Sequence, residues 1–407
     1  MPAGFKGDKE MAYDLKKNVK EIMERAIAAG EENGGVFMLY KDGEKVLEQA
    51  AGYADVKKKI PFADNTICRI YSCTKIFTSL CAMILMSRGK LDTFWEVSRF
   101  FPEFENAYYI KGWKKTGCRQ VIIRDLLNMT SGLAYPGDSH EGAAQTNELW
   151  GRLDESIRNG NSMSTQEFVH ELGKLPLMFD PGSEWLYGSS ADVLGAVIEK
   201  ISDMELADFM KKEIIDPLGM TDTDFYVPKD KRDRLAVLYK NAGSDPSEVD
   251  FVNLCIYDLD ERPKFQSGGA GLFSTPQDLA KLAGELSSGK AGIANKYMVD
   301  FMRTNGLDEK QRAYANWDSL KGYGYGNLLR CHENRSLSGS FAPVGAFGWD
   351  GWTGPYMLIH PESKTGIMLC LQRTDAGSSQ LSRSLVNAVF GSMEESAGTR
   401  LTIPLFS

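Results

Sequence analysis

Several scarcities limit what this 407-residue chain can do. Histidine occurs four times, as His140, His170, His332 and His360, and no two stand at metal-ligand spacing, so no zinc centre is expected. Basic residues are outnumbered, 47 Lys and Arg against 55 Asp and Glu; the net charge of -8 argues against a nucleic-acid binder. No apolar run reaches the ~20 residues of a membrane helix. The first 30 residues lack the apolar core of a signal peptide. Met11, Leu15, Val19, Ile22, Met23 and Ala26 instead space out an amphipathic helix. The seven cysteines (Cys68, Cys73, Cys81, Cys118, Cys255, Cys331 and Cys370) are odd in number, irregular in spacing and free of any Cys-x-x-Cys pair. That pattern suits reduced thiols, and hence a cytoplasmic location, better than a disulfide framework. No Gly-x-Ser-x-Gly elbow occurs, which speaks against an ordinary α/β-hydrolase.

The composition that remains is that of a folded globular chain, 43% apolar and 25% charged, long enough for a large core and two lobes. Its organising stretch is Ile70-Tyr71-Ser72-Cys73-Thr74-Lys75-Ile76-Phe77-Thr78-Ser79-Leu80-Cys81-Ala82-Met83-Ile84-Leu85-Met86. A helix that is apolar nearly all round belongs in a core. Ser72 and Lys75 are three residues apart and share one helical face. Desolvation lowers a lysine pKa and makes the amine a proton acceptor. The helix N-terminus beside Ser72 favours developing negative charge. Together these are the parts of an activated serine nucleophile. Ser-x-x-Lys also occurs at Ser87/Lys90 and Ser287/Lys290, but there Gly89 and Gly289 mark helix ends. Cys73 adjoins Ser72 on a different face and is expected to pack.

Strand patterns stand at both chain ends. Residues 35–40 and 45–47 flank Asp42-Gly43, a hairpin signal. Residues 342–352, 356–360 and 366–372 read as three further strands. Helical periodicity fills the middle, at 121–129, 166–172, 191–201, 206–215 and 276–286, and returns at 378–390. Residues 134–165 read as a long polar surface excursion. The expected fold class is α+β: an antiparallel sheet from both chain ends flanked by helices, with a mainly helical lobe inserted. The boundaries are 1–89 with 320–407 for the sheet lobe and 90–319 for the insertion, with an active site in the cleft between them.

Several stretches resemble the serine β-lactamase and penicillin-binding-protein-like superfamily, nearest in look to class C β-lactamases, family VIII carboxylesterases and related acyltransferases. They are Arg69-Ile70-Tyr71-Ser72-Cys73-Thr74-Lys75, Ile123-Arg124-Asp125-Leu126-Leu127-Asn128-Met129-Thr130-Ser131-Gly132-Leu133, Pro181-Gly182-Ser183-Glu184-Trp185-Leu186-Tyr187-Gly188-Ser189, Asp216-Pro217-Leu218-Gly219-Met220 and Gly269-Ala270-Gly271-Leu272-Phe273-Ser274-Thr275. The resemblance runs from about residue 15 to the C-terminus and implies the same sheet-plus-helical-lobe fold. It makes Ser72 the nucleophile and Lys75 and Tyr187 its proton-transfer partners, the Tyr187 phenolate being favoured by Lys75. It puts Ser189 where the family carries a substrate-binding amide. Of two Lys-Thr-Gly triplets, Lys115-Thr116-Gly117 comes before Tyr187, in the wrong order. Lys364-Thr365-Gly366 straddles a turn at the far end of a strand. Trp349-Asp350-Gly351 stands in the third-motif position instead, resembling the Trp-x-Gly of the esterase branch.

The resemblance implies acyl transfer through a serine ester, with the Ser72 and Trp352 N–H groups as the oxyanion hole and Trp349, Asp350 and Gly351 at the substrate. No metal and no cofactor is implied, and the partner is a small-molecule ester or amide. A tryptophan where relatives carry a lysine, with Asp350 adding a repelling charge, disfavours carboxylate-bearing lactams and D-Ala-D-Ala peptides and favours uncharged esters. Arg373, after the last strand, is a candidate for restoring a cation. The alternatives are a β-lactamase or DD-peptidase and a catalytically inactive ligand-sensing module; intact Ser72, Lys75 and Tyr187 speak against the latter.

Overall fold

The computed structural model describes residues 14–393. Its strands are β1 Gly34–Lys41, β2 Glu44–Asp55, β3 Ile60–Pro61, β4 Cys68–Arg69, β5 Tyr108–Lys111, β6 Lys114–Gly117, β7 Phe273–Ser274, β8 Tyr323–Gly326, β9 Leu329–His332, β10 Phe347–Asp350, β11 Tyr356–His360 and β12 Thr365–Leu371. Its α-helices are α1 Leu15–Ala28, α2 Thr74–Ser87, α3 Ile123–Asn128, α4 Ala143–Arg158, α5 Thr165–Leu172, α6 Ser190–Ser202, α7 Leu206–Met210, α8 Pro276–Ser288, α9 Lys296–Met302, α10 Glu309–Arg312, α11 Arg335–Ser338 and α12 Gln380–Gly391.

The main sheet has eight strands in the order β3-β2-β1-β12-β11-β10-β9-β8, so the two ends of the chain meet where β1 pairs with β12. The pairing is antiparallel throughout, with Val36 opposite Cys370 and Met38 opposite Met368. β1 is apolar at every position from Val36 to Leu39, and the structure explains why. Successive strand side chains face opposite ways. Val36 and Met38 enter one core, and Phe37 and Leu39 enter a second. The second core is closed by α1 and α12, which supply Val19, Met23, Leu385 and Val389. The first is closed by α2 and α8. α2 is apolar nearly all round because twelve of its residues, Thr74 to Leu85, are buried.

The expected sheet from both chain ends is present, and the structure adds elements the sequence reading did not include. β8 and β9 extend the sheet beyond β10, and β5 and β6 form a separate hairpin. The stretch 134–165 carries α4, whose Thr146, Leu149, Trp150 and Leu153 are buried. The helix expected over 206–215 is α7 followed by a wider π turn at Lys211–Ile215. The N-terminal helix starts at Leu15, capped by the Asp14 side chain, and Met11 lies outside the described residues.

Candidate active site

The nucleophile stretch is not one continuous helix. Tyr71–Cys73 form a 3-10 turn, and α2 begins at Thr74. Tyr71 has φ 41°, a left-handed conformation uncommon for a bulky residue. Its surroundings hold it there. The Ile70 N–H donates to the Leu272 carbonyl and the Arg69 N–H to Gln372 Oε1, while the Tyr71 ring packs edge-on to Trp352 at 5.2 Å. The turn leaves Ser72 partly exposed while Lys75, one turn on, has no exposed surface.

Lys75 Nζ has three acceptors: Ser72 Oγ at 3.3 Å, the Tyr135 hydroxyl at 3.2 Å and the Gly269 carbonyl at 2.8 Å. It also lies 4.5 Å from the centroid of the Tyr187 ring. Burial lowers its pKa to about 7, with Asp192 the leading charge opposing that shift. Tyr187 joins the same point. Its hydroxyl accepts from the Trp349 indole N–H at 2.9 Å. Burial pushes the Tyr187 pKa upward, and Ser72 and Trp349 only partly offset this. Burial therefore works against the expected phenolate.

The third-motif strand reaches the serine through Gly351. A Cβ there would stand 2.3 Å from the Ile70 carbonyl oxygen, so only glycine lets the end of β10 approach the nucleophile turn this closely. The N–H groups of Ser72 and Trp352 have no acceptor among the described residues, as the two donors of an oxyanion hole require. The Gly351 N–H is committed to Pro355.

Other expected site residues sit differently. Ser189 is fully buried and donates its hydroxyl to the Ala134 carbonyl at 2.6 Å, so it fixes the start of α6 instead of facing a substrate. Asp350 adds no free negative charge to the cleft. It is paired at 2.6 Å with Arg330, which is buried on β9 and stacked among Tyr323, Trp349 and Tyr356. Trp349 is itself buried and stacked on Tyr187 at 5.6 Å, a support for the phenol more than a wall for substrate. Arg373 is tied to the buried Glu32 at 2.7 Å. Lys364 faces Asp42 across the β1–β2 turn, and Lys115 lies over Tyr108 in the separate hairpin. Cys73 packs in the core, its thiol against the Trp349 and Pro355 carbonyls. Ser87 and Ser287 bond back to their own helices near the ends of α2 and α8. Among the described residues, no group of three His, Cys, Asp or Glu side chains is arranged to hold a metal ion. No helix there is long and apolar enough to cross a membrane.

Tyr135 and Gly269 contact Lys75, Asp192 holds the Gly269 N–H, and Arg330 pairs with Asp350, contacts that the sequence does not announce. Tyr135 lies in the polar excursion before α4, and nothing local marks it. Gly269 falls within one of the resembling stretches, but no role was attached to it.

The chain matches the Beta-lactamase family over residues 15–390. It belongs to that family. Among curated proteins it is similar to Protein Rv1367c of Mycobacterium tuberculosis, 28% identical with 84% of this chain and 86% of that one covered. It is similar to Esterase EstB of Burkholderia gladioli, 26% identical over 96% of this chain and 98% of the relative. Among solved structures it is similar to EstCE1, described as a hydrolase with promiscuous acyltransferase activity. That match is 25% identical with a TM-score of 0.77 and covers 93% of this chain and 98% of the other.

Proposed function

We propose that this β-lactamase-family chain is a serine esterase or acyltransferase that forms a covalent acyl-enzyme on Ser72 from uncharged carboxylic esters. The carrying observation is Lys75: fully buried, hydrogen-bonded to Ser72, and with a pKa brought to about 7 by burial. A half-neutral amine beside a hydroxyl is a general base poised for neutral pH. In this reading the cleft lies between the sheet lobe (1–89 and 320–407) and the inserted residues 90–319.

Neutral Lys75 takes the Ser72 proton as Oγ attacks the ester carbonyl. The tetrahedral oxyanion is held by the Ser72 and Trp352 N–H groups. Tyr187, protonated, gives its proton to the departing alkoxide, and the Lys75 ammonium restores it. The net result is a Ser72 ester and a free alcohol. Water, or a second alcohol, then reverses the sequence and releases the acyl group. Supporting the ester assignment, Lys115, Lys364 and Arg373 are each engaged elsewhere, and the third-motif position carries a buried indole. EstB and EstCE1 bear esterase and hydrolase names.

Intact-mass spectrometry after exposure to a fluorophosphonate and to p-nitrophenyl butyrate tests the reading. A single adduct on Ser72 is expected, and Ser72→Ala should abolish both adduct and turnover while leaving the fold intact. An adduct mapped to Ser87, Ser189 or Ser287 would refute it.

A further inference from the structure

Asp192 lies in the first turn of α6, five residues after Tyr187, with no exposed surface. One carboxylate oxygen accepts from the Ser267 hydroxyl at 2.5 Å and from the Gly269 N–H at 3.2 Å. The other has no hydrogen-bond partner among the described residues. A buried carboxylate oxygen left unpaired is costly, so its retention needs a physical reason. Gly269 supplies the link. Its N–H is held by Asp192, and its carbonyl accepts the shortest of the three Lys75 bonds, at 2.8 Å. A Cβ at Gly269 would stand 2.3 Å from the Tyr135 hydroxyl and 3.2 Å from the unpaired Asp192 oxygen. Lys75, Tyr135 and Asp192 therefore converge on one peptide that only glycine can occupy without displacing them.

We propose that Asp192 is a positioning residue for Lys75: it anchors the Gly269 peptide that aims the amine, and its charge balances the ammonium formed when Ser72 is deprotonated. The inference rests on the reading of Lys75 as the base. A neutral amine has two N–H donors and one lone pair. With the donors on the Gly269 carbonyl and the Tyr135 hydroxyl, the lone pair is left facing Ser72 Oγ. In the acylation step the Oγ–H bond breaks, an N–H bond forms on Lys75, and a positive charge appears in a site without water contact. The groups facing it are Ser72 and the Cys73 thiol from the nucleophile turn, the phenols of Tyr135 and Tyr187, Asp192 from α6 and Asp350 from β10. Burial keeps the Cys73 thiol neutral, and Asp350 is already engaged by Arg330. Asp192 is the remaining carboxyl group; burial raises its own pKa, against the Ser267 hydrogen bond and the Lys75 charge that favour its ionised form, and it leads the charges that raise the Lys75 pKa.

The test is the pH profile of kcat/KM for p-nitrophenyl butyrate in Asp192→Asn, which keeps the shape and the Ser267 and Gly269 bonds but removes the charge. The acidic limb, set by Lys75 deprotonation, should move down by about one pH unit, a tenfold change in ammonium acidity. At pH 8 kcat should fall about tenfold with KM within about twofold, as for loss of an interaction made in the transition state. Fluorophosphonate titration of Ser72 should return the wild-type fraction of active protein. A merely structural role would lower that fraction or Tm and leave the limb in place. A limb that does not move in folded, titratable Asp192→Asn overturns the proposal while sparing the esterase reading. Absence of any Ser72 adduct in the wild type overturns both. Should Asp192→Asn fail to fold, Ser267→Ala keeps the charge and loosens the anchor. It should lower kcat several-fold with the limb in place, and an unchanged kcat refutes the anchoring role.

Discussion

At the scale of single residues, the proposed chemistry turns on what burial does to Lys75 and Tyr187. Lys75 is brought down to about 7, whereas Tyr187 is pushed up. The sign for activity follows directly. Below pH 7 Lys75 is protonated and cannot accept from Ser72, so kcat/KM for an uncharged ester should rise about tenfold per pH unit up to about pH 7 and level off above it. A flat profile from pH 5 to 8 would exclude Lys75 as the base. Lys75→Ala and Tyr187→Phe should each cost orders of magnitude in kcat and the double change little more, because groups acting as a unit are not additive. Trp349 belongs to this unit through its indole N–H on the Tyr187 oxygen. Trp349→Phe keeps an aromatic on β10 and deletes that donor. A loss of about 1 kcal/mol of hydrogen bonding should appear as a five- to tenfold fall in kcat with KM little changed. A rise in KM alone would mean instead that the ring binds substrate.

At the scale of elements, the proposed catalytic geometry rests on two irregular pieces: the strained turn at Tyr71–Cys73 and the glycine-tipped end of β10. Gly351→Ala would put a methyl 2.3 Å from the Ile70 carbonyl and drive β10 away from Ser72. Displacing one oxyanion donor should cost about 10²-fold in kcat, measurable on p-nitrophenyl butyrate in protein that still unfolds cooperatively. Undiminished turnover would place the oxyanion hole elsewhere. These pieces also mark where sequence reading stops. α2, α6, α8 and α12 could be read because their apolar periodicity is long and local. Ser72, Lys75 and Tyr187 carried recognisable contexts. β8 and β9 are four residues each, too short to show a period, and β8 is interrupted by glycine. α4 did carry a signal, Thr146, Leu149, Trp150 and Leu153 at helical spacing, but polar residues around it disguised it. Tyr135 reaches Lys75 across 60 positions of sequence, and Asp350 is neutralised by Arg330 from a strand the sequence did not reveal. Partners made only by tertiary folding leave no local trace, and the expected repelling charge of Asp350 went wrong for that reason.

At the scale of the whole molecule, the proposed roles of Ser72 and Tyr187 set an expectation for how a substrate lies. In the proposed mechanism Tyr187 is the proton donor to the alkoxy group, and we propose that the acyl chain lies towards Tyr71 and Trp352. Beside Tyr71 lies a cavity of about 610 Å³ lined both by apolar residues, Leu238, Val249, Phe251 and Ile256 among them, and by the charged Arg69, Arg232, Glu248, Asp250 and Asp258. Its Arg69 is paired with Asp258, so much of its charge is internally balanced. Phe251 is 54% exposed, with its ring 6.0 Å from that of Trp352. Such a space suits a medium-length or aromatic acyl group better than acetyl, since each added CH₂ that leaves water contributes about 0.8 kcal/mol. Across p-nitrophenyl acetate, butyrate and octanoate, kcat/KM should therefore climb. Phe251→Ala should raise KM for octanoate by about tenfold, the equivalent of about 1.4 kcal/mol of lost apolar contact, and leave acetate unchanged. Both esters share the leaving group, so a change confined to the longer one reports on the acyl side alone. Equal effects on acetate and octanoate would show that Phe251 shapes the serine's surroundings generally and that the acyl chain lies elsewhere.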